Sequence, residues 1–340
     1  MSIKEKITES IQRIYQLALN RNTKLTRDFY RENKDPDLDV SEHMIINEYG
    51  SWSEALKTAF NIVEDEEDNT YDYNPDHLDP DYELVKKTTR KGMYKVLVIP
   101  DVHIPFHSKK ALDCVIRIAE AYGPDEVIQL GDLCDFYKIS KYTKDPRRGE
   151  SVQKELDKAY KLLKLIKKRS GATRATFLEG NHEFRLHKYI CTQAPGFSDM
   201  RALNLESLLQ LKDAGWDYVP QHQFYQINNV HFTHGEFVST HSSQKHVASY
   251  DETIVHGHTH RIACNMVKFL NRTLEGWELG CLASLKVAQE YQKSANWQHG
   301  CGTVDIYNDQ YWIRPHHIRD GCVSWNGRVI EGSNEDPIPS

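Results

Sequence analysis

Five short groups of polar residues in this 340-residue chain could hold metal ions: Asp101 with His103, Asp132 with Asp135, Asn181 with His182, His234 before Gly235, and His258 with His260. Carboxylate, imidazole and amide donors without a thiolate suit a hard or borderline divalent cation, manganese first, with iron, zinc or magnesium able to take the same donors. Two such cations sharing one carboxylate are what phosphoester cleavage uses. One lowers the pKa of a water toward neutrality, and both spread the charge that develops on the phosphoryl oxygens. Taken singly, each group has a plain alternative: an Asp after a strand can cap the next helix, and histidines at a strand end can be solvated. The five groups in order, each at a strand end, leave little room for it.

What must position these residues is a set of strands. YKVLVIP from Tyr94 is a short, bounded run rich in β-branched residues, and 126–130 and ATFLE at 175–179 read the same way. The first three polar groups follow these runs, at the carboxyl ends where open α/β sheets form their crevice. Residues two apart in an extended segment point the same way, so Asp101 with His103, and His258 with His260, can each turn both side chains to one site. Helices are expected over 108–121 and 150–168, further strands at 224–227, 230–234, 253–256 and 262–269, and a closing hairpin over 303–313. This alternation predicts an α/β layered core of mixed β-sheets flanked by helices, spanning 93–340.

Ahead of it, Ile3, Ile7, Ile11, Ile14 and Ala18 recur at helical spacing. Short helices follow at 26–33 and 40–48, and Ser51 with Glu54 forms a capping box for another, whose buried side is Trp52, Leu56, Ala59 and Phe60. Residues 1–63 thus read as a small all-helical domain. Between the two lies an acidic linker, 64–92: from Glu64 to Glu83 there are ten acidic residues and no Lys or Arg, and Pro75 and Pro80 discourage regular structure.

Composition sets the class. With 39% hydrophobic and 27% charged residues, the chain can bury a sizeable core and is not a disordered polymer. No run approaches the length of a membrane span and the charged opening is no secretory signal, so a cytoplasmic protein without a membrane partner is expected. Seven cysteines without a CxxC pair indicate neither a disulfide framework nor a zinc-thiolate site. The net charge of -6 hides a local excess, because 138–174 holds thirteen basic residues against four acidic ones.

The ordered groups carry a resemblance. DVH at 101–103, GDLCD at 131–135, GNHE at 180–183, HG at 234–235 and GHTH at 257–260 resemble the signatures of the calcineurin-like metallophosphoesterases. The resemblance implies a dinuclear centre in which Asp101, His103 and His260 hold one cation, Asn181, His234 and His258 the other, and Asp132 bridges them. It implies that His182 contacts the phosphate and protonates the leaving oxygen, with Asp135 orienting its ring and raising its pKa. His107, His187, His222, His231, His241, His246 and His256 have no place in the pattern, although His231 and His256 could stand behind the ligands.

The same family includes protein phosphatases, small-molecule phosphatases, nucleotide and cyclic-dinucleotide phosphodiesterases, and nucleases. Protein phosphatases resemble this chain in GNHE but carry Arg directly after GDxxD, where Phe136 stands here. GDLCD is more similar to the nuclease branch, although that branch usually has GNHD. Residues 24–60 resemble a short helical repeat found beside homing-endonuclease domains, which implies a DNA-holding unit; over residues 1–60 the charge is nearly balanced, with nine basic and ten acidic residues. Lys138, Lys141, Lys144, Arg147 and Arg148 directly after Asp135, with lysines along the next helix, could follow a phosphate backbone or form a solvated face. Trp277, Trp297 and His299 could meet a substrate base. The expectation is a metal-dependent phosphodiesterase, first a DNA nuclease using a metal-activated hydroxide. A nucleotide phosphodiesterase, a phosphatase and a non-catalytic DNA-binding scaffold are the alternatives.

Overall fold

The computed structural model describes residues 3–20, 30, 33–35, 39–41, 44, 45, 48, 55, 85–87, 92–141, 145, 149–286 and 296–339. The chain divides into two compact units, Met1–Tyr82 and Glu83–Ser340. In the first, helix α1 (Ile3–Asn20) buries Ile7, Ile11 and Ile14 against Tyr30, Ile45 and Ala55. Tyr30 Oη donates to the Val40 carbonyl at 2.8 Å and Arg13 pairs with Asp39, so the apolar stripe finds its partner within its own unit. The helix expected from Ser51, with Trp52, Leu56, Ala59 and Phe60, lies outside the described residues, as does most of the expected acidic linker.

The second unit is an α/β core of two mixed six-stranded sheets. In spatial order one runs β12 (Gln310–His317), β11 (Gly300–Tyr307), β2 (Met93–Ile99), β3 (Glu126–Gln129), β4 (Arg174–Leu178), β5 (Asp217–Val219), and the other β1 (Val85–Lys87), β6 (Tyr225–Ile227), β7 (Val230–Thr233), β8 (Thr253–His256), β10 (Thr273–Leu279), β9 (Ile262–Lys268). In the first sheet β2 (Met93–Ile99), β3 (Glu126–Gln129), β4 (Arg174–Leu178) and β5 (Asp217–Val219) are parallel, and β11 (Gly300–Tyr307) and β12 (Gln310–His317) close it as an antiparallel hairpin. In the second, β6 (Tyr225–Ile227) and β7 (Val230–Thr233), both expected as strands, form a hairpin, and β8 (Thr253–His256) lies parallel to β7. β10 (Thr273–Leu279) separates β8 from β9 (Ile262–Lys268). β1 (Val85–Lys87) pairs parallel with β6, so a stretch expected as linker contributes an edge strand.

Alternation on β2 explains the layering. Tyr94, Val96 and Val98 face the second sheet with Ile128, Leu130, Phe232 and Val255, whereas Leu97 and Ile99 face the helices on the other side. Those helices, α2 (Lys109–Tyr122) and α3 (Val152–Ser170), begin at Ser108 and Ser151, whose hydroxyls accept from the amides three residues on. They end at Gly123 and Gly171 in left-handed conformation. α4 (Asn181–Gln193) follows β4; α5 (Leu205–Leu208) and α6 (Leu211–Ala214) are short, and α7 (Ser242–Tyr250) packs on β8, β9 and β10. A hairpin of β13 (Cys322–Trp325) and β14 (Arg328–Glu331) rests on α2.

One core acid predicts a pH dependence. Glu155 on α3 is fully buried, its Oε2 accepts the Phe136 amide at 2.8 Å, and burial pushes its carboxyl up to about 8. The folded chain keeps this proton up to about pH 8 while the unfolded chain releases it near pH 4.5, so the stabilising contribution is full below 4.5 and is lost as pH rises through 8. Glu155→Gln, which can still accept the amide, should therefore gain on the wild type by roughly 1–3 kcal/mol between pH 6 and 9. Urea midpoints of both proteins at the two pH values measure this, and parallel pH profiles would contradict it.

Candidate metal centre

The polypeptide brings the groups together through tight loops at the strand ends. The amides of Val102 and His103 both donate to the Asp132 carbonyl at 2.9 Å, which locks the first motif onto the second. The amide of His182, in the first turn of α4, donates to Asp132 Oδ1 at 2.9 Å, and the amide of His258 donates to Asp101 Oδ1 at 2.9 Å. The loops approach so closely that a Cβ on Gly131, which also has φ +95°, would lie 2.6 Å from Gly180 Cα. Asp101, His103, Asp132, His258 and His260 all have positive φ, a conformation costly for such residues and held here by the surrounding hydrogen bonds.

Two donor groups result. Asp101, His103, Asp132 and His260 form one, and Asp132, His234 and His258 the other, with the donor atoms of each group within 4.8 Å of one another. In the first, His103 Nε2 lies 3.1 Å from His260 Nε2, and His260 Nε2 lies 3.3 Å from Asp101 Oδ1. In the second, Asn181 Oδ1 lies 2.8 Å from His234 Nε2 and 2.9 Å from His258 Nδ1. Asp132 Oδ2 stands between them, 3.7 Å from His103 Nε2 and 3.4 Å from His234 Nε2. All seven expected ligand residues converge, and Asp132 is shared.

The donor set fits two divalent cations. His234 Nδ1 donates to the Leu130 carbonyl at 2.8 Å, and His103 Nδ1 faces Asp135 Oδ2 at 3.1 Å, so each ring presents Nε2 to the centre in a fixed orientation. Burial opposes charge on both rings, yet Asp132 and its neighbours drive His234 up to about 10, and Asp135 with Asp132 raises His103. Burial would raise Asp132, but His182, His234 and His103 outweigh it and hold the carboxyl well below its usual range. The carboxylate field therefore calls for positive charge at two points, one on each side of Asp132. A site for two divalent cations is present.

His103, Asp135 and His182 also converge, but the Nδ1 contact of His103 to Asp135 is a hydrogen bond that orients a donor of the first group. This corrects the expected partnership of Asp135. Its carboxylate serves His103, while His182 Nδ1 donates at 3.0 Å to the Asp135 backbone carbonyl and lies 3.7 Å from the carboxylate. The expected upward shift is reversed too: burial and then Arg185 lower the His182 pKa well below its ordinary value. His182 Nε2 lies 3.9 Å from the shared Asp132 Oδ2. Asn181, His182 and His258 keep partial exposure, which places the mouth of the centre on their side.

Residues that no metal-binding pattern singles out build the frame. Glu183, fully buried, accepts the amides of Asp132 at 2.8 Å, Cys134 at 2.8 Å and Gly180 at 3.1 Å, and so ties the second motif to the third. Its position in GNHE was visible, but its reach was not. Glu278 on β10 accepts from Thr259 Oγ1 at 2.5 Å and from the Ser243 amide at 3.2 Å, which steadies the loop of His258 and His260. The Leu282 amide donates to the Asp101 carbonyl at 2.7 Å and the Gln298 amide to the His260 carbonyl at 2.8 Å, so the segments after β10 and before β11 border the centre.

Of the aromatic candidates, Trp297 packs edge-on to His260 with ring centroids 4.0 Å apart. Trp277 donates to Glu275 on β10, and His299 Nε2 donates to the Ala283 carbonyl at 2.8 Å. His256 packs 4.1 Å from His246 behind Gly257, and His231 faces Glu252, so neither joins the donor groups. Lys138, half-buried, and Lys141, exposed, lie in and just after the turn Tyr137–Ile139 that follows Asp135. Lys144, Arg147 and Arg148 lie outside the described residues. Among the described residues no helix is long and apolar enough to cross a membrane.

Residues 94–262 match the calcineurin-like phosphoesterase family. The chain is 29% identical over 268 residues to the Gene 54 protein of Mycobacterium phage L5, covering 70% of this chain and 98% of that protein. It is 28% identical to the Gene 54 protein of Mycobacterium phage D29 over the same shares. Among solved structures it is similar to Vacuolar Protein Sorting 29 from Cryptosporidium parvum, at 15% identity and a TM-score of 0.39, over 70% of this chain and 96% of that one. It is also similar to Yfce, a phosphoesterase from E. coli, at 15% identity and a TM-score of 0.33, over 65% and 97%. Residues 24–60 lie outside the family match, which lends no support to their likeness to a homing-endonuclease-associated repeat. With its two donor groups joined at one carboxylate, the unit that holds residues 94–262 belongs to the calcineurin-like metallophosphoesterases and is a metal-dependent hydrolase.

Proposed function

We propose that the chain hydrolyses phosphodiesters, with nucleic acid as the first substrate, Asp101, His103 and His260 holding one cation, Asn181, His234 and His258 the other, and Asp132 both. The observation that carries this reading is His182 Nε2, 3.9 Å from the shared carboxylate and outside the two donor groups that flank it. When bound, the cations, manganese first, supply an activated water and spread charge on the phosphoryl oxygens.

The protein then has to place the ester and deliver a proton. A substrate at the shared carboxylate brings its negative charge beside His182, opposing the effects of burial and Arg185 and drawing a proton onto Nε2. From there it can pass to the departing oxygen, while the Asp135 carbonyl holds Nδ1 and fixes the ring. Asp135 acts through His103, keeping its ring in line. Phe136, fully buried, stands where a protein phosphatase has Arg, which speaks against a protein phosphatase.

Lys138 and Lys141, in and just after the turn that follows Asp135, favour a polymer, because each phosphate neutralised along a strand adds salt-dependent affinity. In manganese, single-stranded DNA, duplex DNA and RNA should be cleaved faster than bis(p-nitrophenyl) phosphate at equal phosphate concentration. Lys138→Gln with Lys141→Gln should flatten the slope of log affinity against log salt by roughly 1.5–2, with small-diester turnover unchanged. Cleavage of small diesters alone would remove the polymer reading and leave the phosphodiesterase one. The second reading is a nucleotide or dinucleotide diester, favoured by Trp297 at His260, where a base could stack.

A further inference from the structure

The position after GDLCD cannot grip phosphate, since the Phe136 ring is fully buried, yet the chain sets a different cation at the mouth. Arg185 is one turn along α4 from His182. Its Nη1 donates to the Asp135 carbonyl at 3.1 Å and lies 3.0 Å from His182 Nδ1, and its Nη2 lies 2.8 Å from His182 Nε2. The guanidinium fork is thus laid along the imidazole.

The hydrogen-bond roles show what this arrangement lacks. A carbonyl only accepts, so His182 Nδ1 carries a hydrogen toward Asp135 and meets Nη1 donor against donor. Nη2 can donate to the unprotonated Nε2, which is the atom needed for the departing oxygen. A ring nitrogen and a backbone carbonyl are weaker acceptors than an anionic phosphoryl oxygen. His182 Nε2 lies 3.9 Å from the shared Asp132 Oδ2 and 2.8 Å from Nη2, so a phosphate at the shared carboxylate would stand beside both.

We propose that Arg185 is the phosphate-gripping residue of this centre. On substrate arrival Nη2 passes from His182 Nε2 to a non-bridging phosphoryl oxygen, while Nη1 stays on the Asp135 carbonyl. The same movement uncovers Nε2, which then takes up a proton from water and can pass it to the departing oxygen, so substrate binding and exposure of this nitrogen are one event. The proposal rests on the phosphoesterase reading of the centre.

The test uses the full chain loaded with manganese, as wild type, R185A and R185K. Inorganic phosphate affinity is read by calorimetry, metal content by elemental analysis, and KM and kcat with bis(p-nitrophenyl) phosphate and with a dinucleotide, whose deoxyribose oxygen needs a proton to leave. R185A is expected to weaken phosphate binding by about 10- to 100-fold with both cations retained, and R185K, which keeps the charge and loses the fork, to recover part of it. Unchanged phosphate affinity with a reduced kcat would mean that Arg185 only positions His182, and would overturn the proposal. So would a wild type that binds no phosphate. A wild type that binds phosphate through Arg185 but hydrolyses no ester would refute the activity and leave this proposal standing. If R185A fails to fold, R185K decides: a several-fold rise in both KM and the phosphate dissociation constant supports the grip, and wild-type values remove it.

Discussion

His182→Ala retains both cations and lowers turnover by a factor of about 10² to 10⁴, the range expected on losing a general acid. The side chain lies outside both donor groups that meet at Asp132, and the interaction that ties this residue to Asp132 comes from its backbone amide at 2.9 Å, which alanine keeps. The loss should depend on the leaving group. A p-nitrophenolate departs without a proton and should be affected least, whereas an alkyl or deoxyribose oxygen needs one and should be affected most. Elemental analysis with rates across a series of leaving groups checks both parts. Wild-type rates on an alkyl ester, or loss of a cation, would end the assignment of His182 as proton donor.

Glu183→Ala destabilises the catalytic unit by roughly 3–6 kcal/mol, since it leaves three buried amides without an acceptor at about 1–3 kcal/mol each. Those amides belong to Asp132, Cys134 and Gly180, so the damage falls on the loops that carry Asp132 and Asn181. Manganese affinity should fall by about 10- to 100-fold, as for other residues that orient ligands from behind. The carboxyl is itself costly to bury: burial and the nearby Asp132 push it up to about 8, which moves the expected loss toward the lower end. Glu183→Gln should fall between, because one amide oxygen replaces two acceptors and its NH₂ group faces a backbone donor. Urea denaturation and manganese titration of the two variants give the measurement. A Glu183→Ala protein within about 1 kcal/mol of wild type would show that the amides find other partners.

Much of the centre was legible because metal binding needs particular donors and a strand end is a rigid place to put them. Residue type and the preceding strands marked the five groups, the resemblance to the metallophosphoesterases picked Asp101, His103, Asp132, Asn181, His234, His258 and His260 from them as ligands, and all seven converge. The same alternation of strands and helices set the α/β core, and the helices expected over 108–121 and 150–168 are found at Lys109–Tyr122 and Val152–Ser170. β10 was not legible: TLEGWEL carries Gly276 in its interior and few β-branched residues, and it becomes a strand because β8 and β9 pair with it on both sides. β1 is likewise a strand only because β6 offers an edge beside it.

Sequence by itself determined which donors the chain owns and in what order the strands present them, since both follow from side-chain chemistry and periods of two and 3.6 residues. Tertiary structure alone decided who meets whom between the loops. Asp135 takes His103 and leaves its carbonyl to His182, and Glu183 gathers three amides from two motifs. Hydrogen bonds and ion pairs act over about 3–4 Å. Separations that small are set by how separate loops pack, and residues dozens of positions apart carry no sign in their order of which one will arrive.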